Sequence, residues 1–518
     1  MPIERADPGA PPVGRAELFP TVFMTGAAVM LIEILGTRII GPVFGVSLFV
    51  WSALLAVTLG SLAIGYYVGG VLADRAPDPR LLGLVVALSG VFLGLVPALR
   101  HAVLRLAEGL GARAGALVSA TLLFAPCLVL LGTIGPIGVR LATRDLRAAG
   151  HGVGSIYAVS TAGSLAGTLV TGFFVIPTFE TDQILVGAAT LLASIGAVSL
   201  ARRRHPIALA ALIVPFVASS APKPPLPGGF QLVDRSQSLY GLVEVIDDLD
   251  HDIRFLRVDH SIIGAQWKRD RFAAFSFIHL LESVRFLRPK AKDMLAIGLG
   301  TGSLPSILGS QGVHVDVVEI DPAVVRFAGE HFGFVPSGDV HVEDARTFLR
   351  RTERRYDIIV HDTFTGGTTP EHLLSLEVVR RVRDILLANG VLVLNFVGYQ
   401  DGPQAEATWA VARTLRAVFP TVRTFRDGPP DHRDEPGNLV FFASEGTLAF
   451  DIPDGASFEN DTCEQVLRSF QGWEVLTRIP EGPSITDGKN PLARLQLAVA
   501  EKHFEAMNHL LPAEVWLH

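Results

Sequence analysis

The chain has 518 residues, of which 49% are hydrophobic and 18% charged, with a formal net charge of −7 and two cysteines. That length exceeds what one compact core usually spans, and an acidic balance with no basic run excludes the electrostatic footprint of a nucleic-acid binder. Cys127, in an apolar run, and Cys463, near the end, make no disulfide framework and leave the redox compartment unread.

Residues 1–17 form an N-terminal tail of mixed acids, Pro and Arg. The tail has neither a basic n-region nor a small-residue cleavage site, so the first apolar run is expected to be a retained helix. Residues 18–220 are dominated by Leu, Val, Ala, Gly and Ile. The runs 18–40, 46–73, 81–99, 114–138, 153–176 and 183–201 are close to the ~20 residues that cross ~30 Å of hydrocarbon. A shorter seventh run lies at 206–220. Gly65 with Gly69, and Gly163 with Gly167, recur at the i, i+4 spacing that lets helices approach closely. A transmembrane bundle of six to seven helices is the expectation, with the lipid bilayer as partner.

If the spans alternate, Arg75, Arg80, Arg140, Arg144, Arg147 and Arg202 to Arg204 share one side. Arg100, Arg105 and Arg113 lie on the other, and the turn at Glu180 and Asp182 carries no base. The positive-inside rule then puts the N-terminus in the cytoplasm of a multi-pass plasma (inner) membrane protein. Six crossings, with 206–220 lying in the interface, keep the rest of the chain cytoplasmic; seven place it outside. Six crossings with a cytoplasmic C-terminal region are the expectation. Glu33 and Arg38 fall inside the first span, where ionisable groups either pair or mark a site. GYYVGGVLADR, 65–75, resembles the loop signature of major-facilitator transporters, but the chain lacks the length for a twelve-helix transporter.

SSAPKPPLPGG, 219–229, is rich in Pro and Gly, and the linker is set at 221–229. Residues 230–270 hold SLYGLVEVID and IRFLRVD, alternating runs around the acidic turn DDLDHD, and predict a small β-hairpin domain. A helix is predicted over 271–287. Within 271–445 the strand-like runs MLAIGLG, VDVVEID, DVHVED, YDIIVHD and GVLVLNF alternate with helical patterns. That order predicts a doubly wound, Rossmann-like α/β domain with its ligand beyond the carboxyl ends of the strands. Residues 446–518 form a C-terminal extension.

Gly298, Gly300 and Gly302 allow a turn that brings backbone N–H groups to a ligand at a helix start. Glu319 follows Gly298 by 21 positions, close to the ~20 at which a second-strand acid meets ribose hydroxyls. Asp344 ends the third strand, where a carboxylate can accept from an adenine amino group. Asp362 ends the fourth, where the reacting part of the ligand would lie. A glycine loop with three acids at successive strand ends points to an adenosine-type cofactor. His341 and His361 lack metal-ligand spacing with other residues, so no metal is expected.

These residues resemble the spermidine synthases (polyamine aminopropyltransferases), especially their bacterial membrane-fused relatives. The likeness covers 236–445 and extends weakly over MLIEILGTRIIGPVFGVSLFVW and SIYAVSTAGSLAGTLVTGFFVIP. ITDGKNP, 485–491, resembles a Thr-Asp-x-x-x-Pro segment of the fused proteins. The resemblance implies an α-helical transmembrane bundle followed by a small β-domain and an α/β domain of the S-adenosylmethionine-methyltransferase type. It implies cofactor binding by Gly298, Gly300, Thr301, Gly302, Glu319, Asp344 and Ala345, with Glu319 on the ribose and Asp344 on the adenine. Asp362 matches the first acid of the family's D-x-x-D segment and would take the proton of an attacking amine. Leu374, Ser375 and Glu377 fall in a Leu-Tyr/Phe-Thr-x-Glu-Phe segment. Dimers through this domain are common in the family, which makes a homodimer one expectation.

The departures bear on the reaction. Thr301 stands where the family has an Asp that grips the aminopropyl ammonium, and Thr365 replaces the second acid of D-x-x-D. In VDHSIIG, Asp259 is kept, His260 stands for Gly and Ile263 for Gln; Phe277, Ile278 and His279 stand for Tyr-His-Glu. Each change removes a polar partner of a diamine, and a dication without its carboxylates is costly to hold in a partly dry pocket. Intact S-adenosylmethionine carries an α-carboxylate that an Asp would repel and Thr301 tolerates. The first reading is a membrane-anchored spermidine synthase-like transferase that moves an aminopropyl group from decarboxylated S-adenosylmethionine to a small amine or membrane-delivered acceptor, with Asp362 as base. The alternative, on the same fold, moves a methyl group from S-adenosylmethionine. A membrane transporter or sensor that binds the nucleoside without turnover is the third reading, and it gives Asp362 nothing to do.

Overall fold

A computed structural model describes residues 14–45, 48–75, 78–142, 149–204, 226–364, 367–429 and 435–517. The tail up to residue 13, Arg144, Arg147, the seventh apolar run at 206–220, linker residues 221–225 and Thr365 lie outside the described residues. The chain divides into two compact units, Met1–Pro225 with Trp516–His518, and Leu226–Val515.

The first unit contains α1 (Arg15–Phe44), α2 (Leu48–Arg75), α3 (Pro79–Glu108), α4 (Gly111–Ala142), α5 (Ala149–Val170) and α6 (Thr181–Arg202). Five turn-forming residues, Thr171–Val175, continue α5 as a π-helix. Among the described residues, six helices are long and apolar enough to cross a membrane. The small residues explain their pairing: α1 packs on α5 and α2 on α4. A Cβ at Gly163 would lie 2.0 Å from the Phe23 carbonyl oxygen, and one at Gly65 would lie 2.3 Å from that of Val129. Larger residues would push these backbones apart. At one end Arg100 of α3 supplies the base for Asp182 of α6, at 2.6 Å; at the other, Arg203 meets Glu17 at 2.8 Å. Glu33 and Arg38 are both half-buried on α1.

The second unit opens with an antiparallel meander, β1 (Phe230–Gln237), β2 (Leu242–Asp248), β3 (Ile253–Val258) and β4 (Ser261–Trp267). Buried Glu244 lies between Arg235 and Arg257, whose positive charges outweigh burial and hold its carboxyl below the usual range. The helix predicted over 271–287 starts later. Ala273 still bridges to Gln266 and Phe275 is extended, so the helical residues are α7 (Ser276–Glu282) and α8 (Val284–Leu287).

Next come β5 (Asp293–Ile297), α9 (Ser303–Ser310), β6 (His314–Glu319), α10 (Pro322–Phe332), β7 (Val340–Val342) and α11 (Ala345–Arg351). After β8 (Tyr356–His361) follow α12 (Leu376–Ile385), β9 (Leu386–Gly398), α13 (Glu406–Arg416), β10 (Thr421–Arg426) and β11 (Gly437–Ser444). Then come α14 (Asp461–Ser469), β12 (Glu474–Val475), α15 (Leu492–Leu495), α16 (Leu497–Leu510) and α17 (Ala513–Leu517). The sheet order is β12-β10-β11-β9-β8-β5-β6-β7. The five strands from β9 to β7 are parallel, and β11, β10 and β12 add antiparallel pairs.

Successive strands step from β5 to β6 and β7, then the chain returns to β8 on the other side. Strand order thus reverses between β5 and β8, which opens a crevice at their carboxyl ends. Alternation along β5 feeds two cores. Met294 and Ala296 face one with Val243 and Leu256 of the meander, while Leu295 and Ile297 face the other. Residues beyond β11 belong to both: Phe470 is buried in the first, Ile485 and Leu492 in the second.

Candidate functional site

The crevice begins at the turn from β5 to α9. Gly298, Gly300 and Gly302 have φ of +91°, +55° and +76°, a region that side chains disfavour. Space forbids a side chain as well. A Cβ on Gly298 would lie 2.1 Å from the Asp362 carbonyl oxygen, and one on Gly302 would lie 2.7 Å from the Phe334 ring. The end of β6 is tied to this turn: Glu319 Oε2 accepts from the Leu299 N–H at 3.0 Å and Oε1 from the Asp321 N–H at 3.0 Å. Burial pushes the Glu319 carboxyl up despite these amides. Asp321 caps α10 through the Ala323 N–H and accepts from Ser238 Oγ at 2.6 Å, which joins the meander to the site.

Asp344 and Ala345 stand at the start of α11. Asp344 Oδ1 accepts from the Thr347 N–H at 2.9 Å, and Oδ2 lies 3.3 Å from His372 Nε2. Partial burial acts against its charge, yet these partners hold the carboxyl below the usual range. Ala345, buried, is the first residue of the helix.

Asp362 follows β8 directly across from the glycine turn, and its N–H donates to the Ile297 carbonyl at 2.9 Å. Its Oδ1 accepts from Asn395 Nδ2 of β9 at 2.9 Å, and burial raises its pKa against that bond. The crevice is walled by Ile263, Gly264, Phe275, Ile278, Thr301 and Asp362 among others, and Asp362 is the one acid among its described lining residues. Thr301 is 5% exposed; its Oγ1 lies 2.8 Å from Ser303 Oγ, which accepts from Gln266 Nε2 at 3.0 Å. A neutral hydroxyl and amide chain thus occupies this side of the crevice. The glycine turn and Asp362 meet at this crevice, Glu319 braces the turn from the end of β6, and Asp344 stands at the next strand end.

Other singled-out residues serve elsewhere. Asp259 turns β3 into β4 at φ +49°, with Oδ1 on the Leu242 N–H at 2.9 Å, and His260 stacks on Phe504. His361 bonds Thr363 at 2.9 Å, and burial lowers its pKa to about 4, so it is neutral. Ser375 caps α12. The ITDGKNP segment clasps the stretch before that helix. Asp487 pairs with Arg346 and its N–H donates to Glu377; Asn490 Nδ2 donates to the Glu371 carbonyl at 2.8 Å; Gln496 bonds both backbone groups of Thr369. This holds His372 over Asp344. Asn395, Gln266, Ser238 and Gln496 escaped the sequence reading. Only Asn395 left a signal, as the one polar residue in the apolar run VLVLNF.

The strand order and the glycine turn define a Rossmann-like domain of the methyltransferase type. Residues 279–424 match the spermine/spermidine synthase domain, so the C-terminal region carries that domain. An N-terminal histidine N-methyltransferase of Emericella nidulans is 34% identical over 240 residues, 42% of this chain and 42% of its own. A polyamine aminopropyltransferase of Vibrio vulnificus is 37% identical over 134 residues, 24% of this chain and 45% of its own. The chain spans less than half the length of either. A probable spermidine synthase from Corynebacterium glutamicum superposes with a TM-score of 0.39 at 18% identity, over 49% of this chain and 89% of that structure.

Proposed function

We propose that this protein is a membrane-anchored transferase that moves a methyl group from S-adenosylmethionine to an amine nitrogen, with Asp362 as base. The observation that carries the donor is Thr301: buried, hydrogen-bonded to Ser303, in a crevice whose only described acid is Asp362. An ammonium-tailed donor needs a carboxylate there, and an α-carboxylate needs its absence. The residues fit such a co-substrate. Gly298 and Gly302 leave a cradle that a Cβ would fill, while Glu319 and Asp344 stand at the ends of the next two strands. When bound, the sulfonium supplies an electrophilic methyl group.

The protein's part is positional and acid–base. An ammonium is not a nucleophile, so the acceptor must lose a proton first. Asp362 accepts it, and its raised pKa brings it nearer the amine's, which eases the transfer. Asn395 fixes the carboxylate, and the Gly298–Asp362 contact sets base against donor. The fungal relative's name, an N-terminal histidine methyltransferase, supports a peptide amino terminus as the acceptor. Six apolar helices support delivery of that acceptor at a bilayer, with the second unit on the cytoplasmic side.

Aminopropyl transfer is the second reading, favoured by the domain match and by the Vibrio relative. Calorimetry of the purified protein with intact and with decarboxylated S-adenosylmethionine separates the two. Tighter binding of the intact form is expected, and the reverse order would sink methyl transfer. Incubation with radiolabelled methyl donor and peptides bearing N-terminal histidine or alanine should label the peptide. Binding without label on any amine would leave a nucleoside-binding sensor.

A further inference from the structure

We propose that His279, Glu282 and Cys463 form a zinc site that pins α14 to α7. All three side chains are 0% exposed, apart from the crevice lining and without a part in the proposed reaction. His279 and Glu282 are three positions apart on α7, on one face of the helix. Cys463 sits in the first turn of α14, fixed by its N–H to Asn460 Oδ1 at 2.8 Å.

The separations are those of ligands around one ion. His279 Nδ1 lies 3.4 Å and Cys463 Sγ 3.5 Å from Glu282 Oε2. Zinc–nitrogen and zinc–oxygen bonds of about 2.1 Å at a tetrahedral angle separate N and O by about 3.4 Å; a zinc–sulfur bond of about 2.3 Å separates S and O by about 3.6 Å. All three donor atoms lie within 4.8 Å of one another. Imidazole, thiolate and carboxylate together favour zinc over the hard cations.

Glu459, one residue before the Asn460 cap of α14, has its Oε2 buried without a hydrogen bond. Buried polar atoms of this kind are rare without cause. Arg285 Nε stands 3.0 Å from Glu282 Oε1, an ion pair by distance without hydrogen-bond geometry. Without metal the thiol carries its proton. Binding forms the Zn–S bond and releases that proton to solvent.

The test uses the full-length protein in detergent. After chelator treatment and desalting, zinc chloride is added and metal content is measured by mass spectrometry; about one ion per chain is expected. Cobalt(II) should give a thiolate-to-cobalt charge-transfer band that Cys463→Ser abolishes. His279→Gln should weaken retention by more than the roughly 10–100-fold that loss of an outer-shell partner costs. Zinc uptake no greater than in Cys463→Ser, or a cobalt spectrum without the thiolate band, would overturn the site. If the variants fail to fold, the cobalt titration of the chelated wild-type protein decides alone.

Discussion

Asp362 and Thr301 divide the chemistry between them. Replacing Asp362 by Asn keeps its shape and removes its ability to accept a proton, so kcat should fall by about 10²–10⁴-fold while donor affinity holds; single-turnover kinetics and calorimetry measure both. The pH profile has a definite sign. Burial raises the Asp362 pKa, and only the ionised form is a base, so kcat/KM should climb with pH through a value above the ordinary carboxylate range. An acid limb at the ordinary value would contradict it. Thr301→Asp sets a carboxylate beside the donor's own: a like charge at ~4 Å costs on the order of 1–4 kcal/mol at effective dielectrics between water and the protein surface. S-adenosylmethionine should bind roughly five-fold to nine-hundred-fold more weakly, with Thr301→Asn as the neutral control. The positions of Gly298, Glu319 and Asp362 were legible because strand ends follow from apolar runs. Asn395 was not, because nothing in a single sequence says which strand lies beside β8.

Elements obey the same division. Parallel strands with their glycine turn and acids could be read from alternation, since both faces of each are buried and the runs are almost wholly apolar. The start of α7 could not, because residues 271–275 pair back on β4, a tertiary contact that overrides local preference. The clasp formed by ITDGKNP was equally hidden, as its partners lie more than a hundred residues earlier. Asp487→Asn should loosen Arg346 and with it the cover over Asp344. The expected result is a several-fold rise in KM for the methyl donor at nearly unchanged kcat, as for loss of an exposed ion pair of about 1 kcal/mol. Among the apolar helices, Gly163→Leu should separate α1 from α5, whose backbones meet at that point. A lower midpoint of thermal unfolding in detergent checks it, with Gly172→Leu, which meets nothing within 4 Å, as control.

For the whole molecule, the proposed cytoplasmic catalytic unit predicts where reporters work. A phosphatase fused in the turn near Glu180 should be active and one fused after residue 518 inactive, with the opposite pattern for a fluorescent protein that matures only in the cytoplasm. Six apolar helices were legible from run length alone; the side of the membrane rests on a modest arginine bias. The division of labour between the last seventy residues and the rest was not legible, because their burial depends on two cores assembled from distant strands. Phe470 closes one layer, and Ile485 and Leu492 close the other. Anyone seeking a catalytic fragment without the apolar helices α1–α6 therefore gains nothing by stopping at β11. A cut there would strip a wall from each face of the sheet and leave sticky, aggregation-prone surfaces, whereas a piece from 226 to 515 keeps both layers sealed. Duplication or exchange of this domain between proteins would meet the same constraint: the tail must travel with the fold.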